Sequence, residues 1–192
     1  MSSQVFKSSR SGLRSRQAET LTKLLTAGDE ELRAVGHEAL TVRTVAARAG
    51  VSPATAYTYL ASKNHLFAEL FLGYLVDDDA HEPSGPTPTA RVQSVTRRMA
   101  ELLAAAPELA AAATPALLSS DPDVAQLRVR IGAVFVRRFE AALGEQSTPA
   151  LVDALVLAFS GALLQAGMGV ITYADLGERL DEVVVTILRG NT

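Results

Sequence analysis

The run of residues 40–66 constrains the fold of this chain more than any other part of its sequence. Its first half, Thr41 to Ala49, has apolar residues at helical spacing, and Gly50 follows where a helix end favours a left-handed residue. Its second half opens with Ser52, a good N-cap, and continues into a helix of about two turns, Pro53 to Leu60, that begins with proline. The run therefore predicts two short helices joined by a tight glycine turn.

The second short helix is predicted to have one buried and one exposed face. Ala56 and Leu60 lie four residues apart, so they face inward together with Val45 and Val51. The positions that then project outward carry small, hydroxyl and aromatic side chains: Ala54, Thr55, Tyr57 and Thr58. A short helix with such a face is suited to the major groove of DNA.

A longer helix is predicted before this pair, and a fourth helix after it. From Arg14 onward apolar residues recur at helical spacing on a face that includes Gly28, and the helix is expected to end near Gly36. These apolar residues are Leu21, Leu24, Leu25, Leu32 and Val35. Ser62 is the expected N-cap of the fourth helix. Residues 1–13 are rich in serine and contain basic but no acidic residues, which predicts a flexible basic arm.

Charge is distributed unevenly along the chain, although its net value is only −3. Residues 1–65 contain nine basic and five acidic residues, a net charge of +4. The remainder contains nine basic and sixteen acidic residues, a net charge of −7. A basic end on an acidic body is typical of a protein that binds a polyanion at one end only.

The rest of the chain also has helical rather than alternating apolar spacing. Nearly half of all residues are apolar, few are aromatic, and alanine and leucine are abundant, a composition that favours packed helices. Residues 77–89, with three prolines and a glycine, are expected to form a loop. Five further helices are predicted at 90–106, 107–119, 121–143, 149–171 and 174–189. The sequence therefore predicts an all-α fold of about nine helices.

Several classes of function lack the residues that they require. The chain contains no cysteine and only three scattered histidines, and it has no phosphate loop or Gly-x-Ser-x-Gly elbow. We therefore expect no enzyme activity, no cofactor and no metal site. Residues 77–79, three aspartates, are interpreted as a solvated helix end rather than as metal ligands. The polar, basic N-terminus lacks a signal peptide, so a cytoplasmic location is expected. The uncharged stretch 154–171 is interpreted as a buried helix rather than a membrane span.

The run of residues 40–66 strongly resembles the DNA-binding signature of the tetracycline-repressor (TetR) family. The matching elements are the Thr-Val start, the Ala-Gly-Val-Ser turn, the Thr-x-Tyr helix and the Ser-Lys pair, all at the family's spacing. The resemblance covers roughly residues 17–72. The chain departs mildly from the pattern at Ala54, Leu60 and Asn64, and Asp29 and Glu31 stand near positions that are often apolar.

The resemblance implies a set of DNA-binding residues: Thr41, Arg43, Ser52, Pro53, Ala54, Thr55, Tyr57, Thr58, Tyr59 and Lys63. Thr41 and Ser52 would cap their helices and contact phosphates. Arg43 would bind a base edge, with guanine the best match for its guanidinium. Tyr57 would contact phosphate or base, and Tyr59 and Lys63 would contact phosphates. As alternatives, Arg43 and Lys63 are ordinary surface residues and Tyr59 lies at the edge of the core.

The last two helices carry more apolar surface than one small bundle usually buries. One stripe comprises positions 151, 155, 158, 159, 162, 163 and 166, and the other comprises positions 176, 180, 183, 184, 187 and 188. The family resemblance implies a homodimer held by a four-helix interface from these helices. The predicted interface residues are Leu151, Leu155, Ala158, Ala162, Leu180, Val183, Val184 and Ile187. The alternative is that both helices are internal core.

The resemblance also implies a ligand pocket among the helices that follow the DNA-binding part. Candidate lining residues are Met99, Leu102, Leu103, Leu117, Phe135, Phe139, Phe159 and Met168, although ordinary core is the favoured interpretation of each one taken singly. Because nearly all of them are apolar, a small hydrophobic effector is expected.

Together these patterns predict a ligand-responsive transcriptional regulator, with repression the commoner outcome in the family. Residues 1–13 would form the arm, residues 14–62 a helix-turn-helix DNA-binding domain, and residues 63–192 a ligand-binding and dimerisation domain. The expected partners are a palindromic double-stranded DNA operator, a second copy of the chain and the effector, with no membrane. The alternative is an interaction adaptor whose helix-turn-helix no longer binds DNA.

Overall fold

The computed structural model describes residues 2–78 and 81–190, with side chains from Arg16 onward. These residues form nine α-helices and one short 3₁₀ turn, Gly144–Gln146, and they contain no strand. The helices are α1 (Ser2–Ala39), α2 (Val42–Arg48), α3 (Pro53–Tyr59), α4 (Lys63–Asp77), α5 (Pro88–Ala105), α6 (Pro107–Leu118), α7 (Pro122–Leu143), α8 (Pro149–Gly167) and α9 (Leu176–Leu188). The predicted all-α fold of about nine helices is thus confirmed.

Helix α1 differs from its prediction at the start and agrees with it at the end. Its backbone is helical from Ser2, so the prediction of a flexible arm over residues 1–13 is wrong for the described backbone. Their side chains lie outside the described part of the chain. The helix is kinked at Gly36, whose φ of 75° places it in the region that favours glycine. Leu24 and Leu32 are buried as predicted, whereas Val35 is exposed.

Side-chain caps start most of the helices, because the first N–H groups of a helix have no partner within it. The predicted caps Thr41 and Ser52 accept hydrogen bonds from the backbone N–H of Thr44 and Thr55, at 3.1 and 3.0 Å. Ser62 likewise accepts from the N–H of His65 at 2.9 Å. Local sequence therefore sets where these three helices begin.

Helices α5 to α9 form one bundle, and α4 connects it to the N-terminal helices. Helix α4 packs against α1, α6 and α7, α1 also packs against α6, and α8 packs against α7 and α9. The centre of the bundle is aromatic: the ring of Phe159 lies edge-on to those of Phe135 and Phe139, with centroids 5.0 and 6.3 Å apart. Burial of these rings contributes a large share of the apolar stabilisation of the bundle.

Of the three aspartates predicted to form a solvated helix end, Asp78 lies instead in an ion pair at the start of the loop between α4 and α5, and Asp79 lies outside the described residues. Arg98 donates to Asp78 Oδ1 with its Nε at 2.9 Å and its Nη2 at 2.7 Å. Arg138 Nη2 lies 3.5 Å from the other carboxylate oxygen. Asp77 is exposed, as expected for the end of a helix. The loop is thus tied to the bundle by a carboxylate that two arginines share.

Helix α8 is long and apolar enough to cross a membrane by length and composition alone. In the structure one side of it, including Leu155 and Phe159, is buried in the bundle. Its other side carries Leu157, which is 65% exposed. A helix that is apolar on all sides has no single face that its sequence assigns to the core.

Close packing between α8 and α6 makes a prediction about Gly167. A Cβ atom at this position would lie 2.5 Å from Thr114 Cγ2 and 2.9 Å from its Cβ, which side-chain rotation cannot relieve. Gly167→Ala is therefore expected to destabilise the protein by about 1–3 kcal/mol in urea unfolding. Gly73→Ala is the matched control in α4, because nothing lies within 4 Å of its added Cβ. It should gain about 0.5–1 kcal/mol. Equal stability of the two variants would show that α8 does not approach α6 this closely.

Candidate nucleic-acid interface and cavity

The turn between α2 and α3 holds the two helices in a defined arrangement. The N–H of Val51 donates to the carbonyl of Ala46 at 3.0 Å, and the N–H of Gly50 donates to the carbonyl of Ala47 at 3.2 Å. This pair of bonds is a Schellman motif, which requires a left-handed residue, and Gly50 has φ 67°. The glycine turn predicted from the sequence is confirmed, and it sets the angle at which α3 leaves α2.

Helix α3 presents the predicted face to solvent. Ala56 and Leu60 are fully buried, while Ala54, Tyr57 and Thr58 are exposed. Tyr57 alone is 48% exposed, a large value for an aromatic side chain. Thr55 is half-buried, and its hydroxyl lies 2.8 Å from that of Ser52. The outer side of α3 is therefore open over its whole length, with aromatic and hydroxyl groups that can contact a groove.

On α2, two arginines have different surroundings. Arg43 is exposed and forms no ion pair with any residue that the structure describes. Arg48 donates from Nε to Glu31 Oε2 at 2.7 Å, and Glu31 is almost fully buried. The hydrogen bond from Arg48 lowers the pKa of Glu31 below its ordinary value. A carboxylate at a position often apolar in the family is thus explained by its pairing with α2, and Arg43 remains available for DNA.

The tyrosine and lysine that end this region are held by the protein itself. Tyr59 is half-buried and packs against the core. Lys63 Nζ donates to the carbonyl of Glu38 at 2.9 Å and lies 5.7 Å from the centre of the Phe67 ring. In this structure Lys63 therefore stabilises the junction of α1 and α4. Its phosphate contact remains a prediction, as do the DNA contacts of the other residues.

One contact that the sequence did not predict links this region to the bundle. The Ser62 hydroxyl, at the start of α4, donates to the carboxylate of Asp121, which also accepts from the N–H of Asp123 at 2.9 Å. The hydrogen bond from Ser62 is the main cause of a lowered pKa of Asp121. Asp121 caps α7, so the turn between α6 and α7 is bonded to the helix that directly follows α3. The Asp-Pro pair at the start of α7 signals the cap but not its distant partner.

A cavity of about 220 Å³ lies among helices α4 to α8. Of the eight predicted lining residues, Leu103, Leu117 and Phe135 belong to its wall. The other five do not: Met99, Phe139 and Phe159 are closed core, Leu102 lies elsewhere and Met168 is 61% exposed. The physical reason is packing, because the edge-on rings of Phe139 and Phe159 leave no space between them. Met168 is the C-cap residue that follows the end of α8 at Gly167, and it does not line the cavity.

The cavity wall also carries polar side chains that the sequence does not indicate. Thr114, Arg128, Ser160 and Tyr173 come from four separate segments and meet only in the folded chain. The Tyr173 hydroxyl donates to the carbonyl of Ala110 at 3.0 Å. No local spacing pattern connects these residues, so only the fold reveals them.

Half of the predicted dimer-interface residues belong to the inward faces of α8 and α9. Four of the eight residues are buried within the chain itself: Leu151, Leu155, Leu180 and Val184. Ala158, Ala162 and Ile187 are half-buried, and Val183 is 40% exposed. The apolar residues that α8 exposes are instead Leu157 and Leu164. For the four buried residues the structure supports the alternative, internal core, because both faces of α8 are apolar and spacing alone could not distinguish them.

Two short helices in a Schellman turn, with an open face on the second helix at the basic end of the chain, define a helix-turn-helix DNA-binding protein. Comparison with known proteins agrees. The sequence model of the bacterial regulatory proteins, tetR family, matches residues 24–70. The chain is 46% identical over 177 residues to the HTH-type transcriptional regulators Mb0790c of Mycobacterium bovis and Rv0767c of Mycobacterium tuberculosis. These matches cover 91% of this chain and 83% of each relative.

Two further similarities extend this comparison. The HTH-type transcriptional repressor KstR of Rhodococcus jostii is 30% identical over 110 residues, which is 56% of this chain and 52% of that protein. The crystal structure of a TetR transcriptional regulator from Rhodococcus sp. RHA1 has the same fold. Its TM-score is 0.78 at 23% identity, over 91% of this chain and 97% of that one. The chain belongs to the TetR family of transcriptional regulators.

Proposed function

We propose that this protein is a repressor that binds a palindromic operator as a homodimer and is released by a small, mainly apolar effector. The single observation that carries the proposal is the open face of α3, which is held by the Schellman turn and points away from the rest of the chain. The repressor KstR, a partial relative, supports repression as the outcome. A cytoplasmic location follows from this role. Residues 14–62 would bind DNA, and residues 63–192 would bind the effector and form the dimer.

The DNA contacts follow from what each side chain leaves exposed. Tyr57 and Thr58 lie on the free face of α3, where they reach bases or phosphates. Arg43, exposed on α2, has a guanidinium that matches the two acceptors of guanine in the major groove. The net charge of +4 over residues 1–65 attracts the phosphate backbone, and the net charge of −7 on the remainder repels it. The acidic bundle therefore orients the basic end toward DNA.

The homodimer would use the apolar surface that α8 and α9 leave open. Leu157 is 65% exposed, Leu164 37%, Val183 40% and Val185 39%. Burial of such side chains against the same helices of a second copy contributes about 25 cal/mol for each Å² removed from water. A two-fold dimer of this kind would present two α3 helices to successive major grooves, about 34–36 Å apart.

The effector would occupy the cavity, and the α6–α7 turn would transmit its presence. Leu117 and Leu118, on the cavity wall, lie three to four residues before Asp121, which is bonded to Ser62 at the start of α4. An effector that binds one arrangement of this turn more tightly than another would shift α4 and with it the spacing of the two α3 helices. Release from DNA then requires only that the effector binds one arrangement of the turn more tightly than the other.

The proposal is tested by a gel-shift titration of the DNA upstream of the protein's own gene, together with sedimentation of the free protein. We expect a dimer that prefers this DNA over a scrambled duplex of the same length. If the dimer makes about six to ten phosphate contacts, its affinity should fall by about 10³–10⁵ between 50 and 200 mM salt. A monomer at micromolar concentration, or equal affinity for the scrambled duplex, would contradict the proposal. Absence of DNA binding at every salt concentration would favour the adaptor.

A further inference from the structure

Among the residues that the structure describes, Arg128 is the one charged side chain on the cavity wall. The other described wall residues are apolar or carry only hydroxyl groups, among them Leu103, Ile131 and Phe135. Arg128 is half-buried on α7, so its guanidinium lies at the boundary between solvent and this apolar space. A cation beside an apolar cavity is costly unless an acceptor balances it.

The hydrogen bonds of Arg128 use only part of its donor capacity. Nη1 donates to the carbonyls of Leu117 and Ser119, at 3.2 and 2.9 Å. Nε and Nη2 donate to no residue in the described part of the chain, and no described carboxylate lies within ion-pair distance. Asp121 is the nearby acid, and the charge of Arg128 contributes to its lowered pKa, but its carboxylate accepts from Ser62 and from the N–H of Asp123 and forms no ion pair with Arg128. The Nε and Nη2 edge, which suits a bidentate acceptor, is therefore unused.

The remaining polar groups on the wall contribute little to binding an anion. Tyr173 donates its hydroxyl hydrogen to the carbonyl of Ala110, so it offers a ligand only lone pairs. Thr114 is bonded to the same carbonyl at 3.4 Å. Ser160, an exposed residue at the edge of the cavity, is the one other hydroxyl on the described wall. Charge recognition in this cavity thus depends on Arg128.

We propose that the cavity binds an amphipathic monoanion, with its apolar body among the leucine and phenylalanine side chains and its carboxylate on Nε and Nη2 of Arg128. A cavity of about 150 Å³ holds benzene. The larger cavity of this protein, about 220 Å³, therefore admits a medium-length chain. This proposal names a ligand class for the effector-responsive function proposed above. Only its consequence for DNA binding rests on that proposed function, because ligand binding itself is measured on the protein alone.

The same guanidinium also connects the ligand to the α6–α7 turn. Through the carbonyls of Leu117 and Ser119, Arg128 holds the end of α6 close to Asp121. A carboxylate on Arg128 competes electrostatically with these two carbonyls for the guanidinium. It therefore weakens the hydrogen bonds by which Arg128 holds the turn. A neutral ligand of the same length would fill the cavity without this effect.

The test is isothermal titration calorimetry of the full chain, without DNA, with decanoate, decan-1-ol and decylamine below their aggregation concentrations. Decanoate should bind at least tenfold more tightly than either the neutral or the cationic analogue. Arg128→Gln should weaken decanoate binding by about tenfold to a hundredfold, as expected for a hydrogen bond to a charged group, and leave decan-1-ol binding unchanged. Arg130→Gln is the matched control on α7, because Arg130 is exposed and lies off the cavity wall. It should change neither affinity.

The outcomes separate this proposal from the proposed function. Equal binding of the acid and the alcohol, equal losses of both in Arg128→Gln, or no binding of decanoate would overturn the proposal. If Arg128→Gln does not fold, Arg128→Lys keeps the charge without the planar fork. It should retain the preference for the acid at reduced affinity, and loss of that preference would count against the proposal. Since no DNA is present, a failure of operator binding alone leaves this result unaffected.

Discussion

Phe159→Ala is expected to destabilise the protein by about 3–5 kcal/mol, which is at the upper end of what one truncation in a protein core costs. Phe159 is 1% exposed and lies edge-on to both Phe135 and Phe139. Its removal leaves a void that the two remaining rings cannot fill, because both are attached to the backbone of α7 and cannot move into it. The loss combines transfer of the ring to water with the contacts that the void forfeits.

The measurement is urea unfolding followed by circular dichroism at one fixed protein concentration, because the apparent stability of a dimer, the oligomeric state proposed above, depends on concentration. Phe159→Leu keeps most of the volume and should cost about 1.5 kcal/mol or less. Val129→Ala serves as the control on α7, because Val129 is 73% exposed, and it should change stability by no more than about 0.5 kcal/mol. A loss below about 1 kcal/mol for Phe159→Ala would show that the bundle is not built around this ring cluster.

Arg43→Ala is expected to relax the operator preference at one base pair by about 1–3 kcal/mol. The side chain is exposed on α2 and has no competing ion pair in the described part of the chain, so its guanidinium is free to bind a base edge. The measurement is a gel-shift series in which each operator position is substituted in turn. Only one position should lose its discrimination, while the general affinity for DNA falls slightly.

Lys63→Ala provides the contrast within the same experiment. Loss of this side chain should weaken binding to all DNA sequences alike. The cause would be either a lost phosphate contact or a weakened junction of α1 and α4, where Lys63 binds the carbonyl of Glu38. Arg33→Ala is a control for a surface arginine, since Arg33 is exposed and paired with Asp29 at 2.8 Å. If Arg43→Ala leaves every position equally discriminated, the base-reading role of Arg43 is wrong.

The helix-turn-helix was predictable in detail because its signals are local. Gly50 at a left-handed position, Ser52 before Pro53, and Thr41 as a cap each act within a few residues. The inward direction of Ala56 and Leu60 followed from a four-residue spacing that any α-helix imposes. Neither the positions of other helices nor the packing of the bundle was needed for these conclusions.

The cavity and the open face of α8 were not predictable in the same way. Leu155 and Leu157 are both leucines two positions apart, yet one is 2% and the other 65% exposed. Both sides of α8 are apolar, so spacing gave no reason to prefer one side for the core. The prediction of the cavity wall was wrong in part for a related reason. The rings of Phe139 and Phe159 pack edge-on against each other and leave no open space between them.

Polar contacts over long sequence distances form a third group. The bonds of Ser62 to Asp121 and of Arg48 to Glu31 join residues that are 59 and 17 positions apart, and no pattern in the sequence pairs them. Each becomes visible only when the helices that carry the two residues are packed together.

The amino-acid sequence by itself determined that this chain is helical, that residues 40–66 form two short helices in a glycine turn, and which side of the second helix is exposed. These features depend on interactions within one or two helical turns, whose geometry is the same in every protein. The tertiary structure alone decided which side of α8 is buried, where space remains beside Phe135, and that Arg128 lies there with unused donors. Those features depend on how whole helices pack. Burial of one apolar helix face or another changes the free energy of folding by nearly the same amount, so spacing within one helix does not select between them.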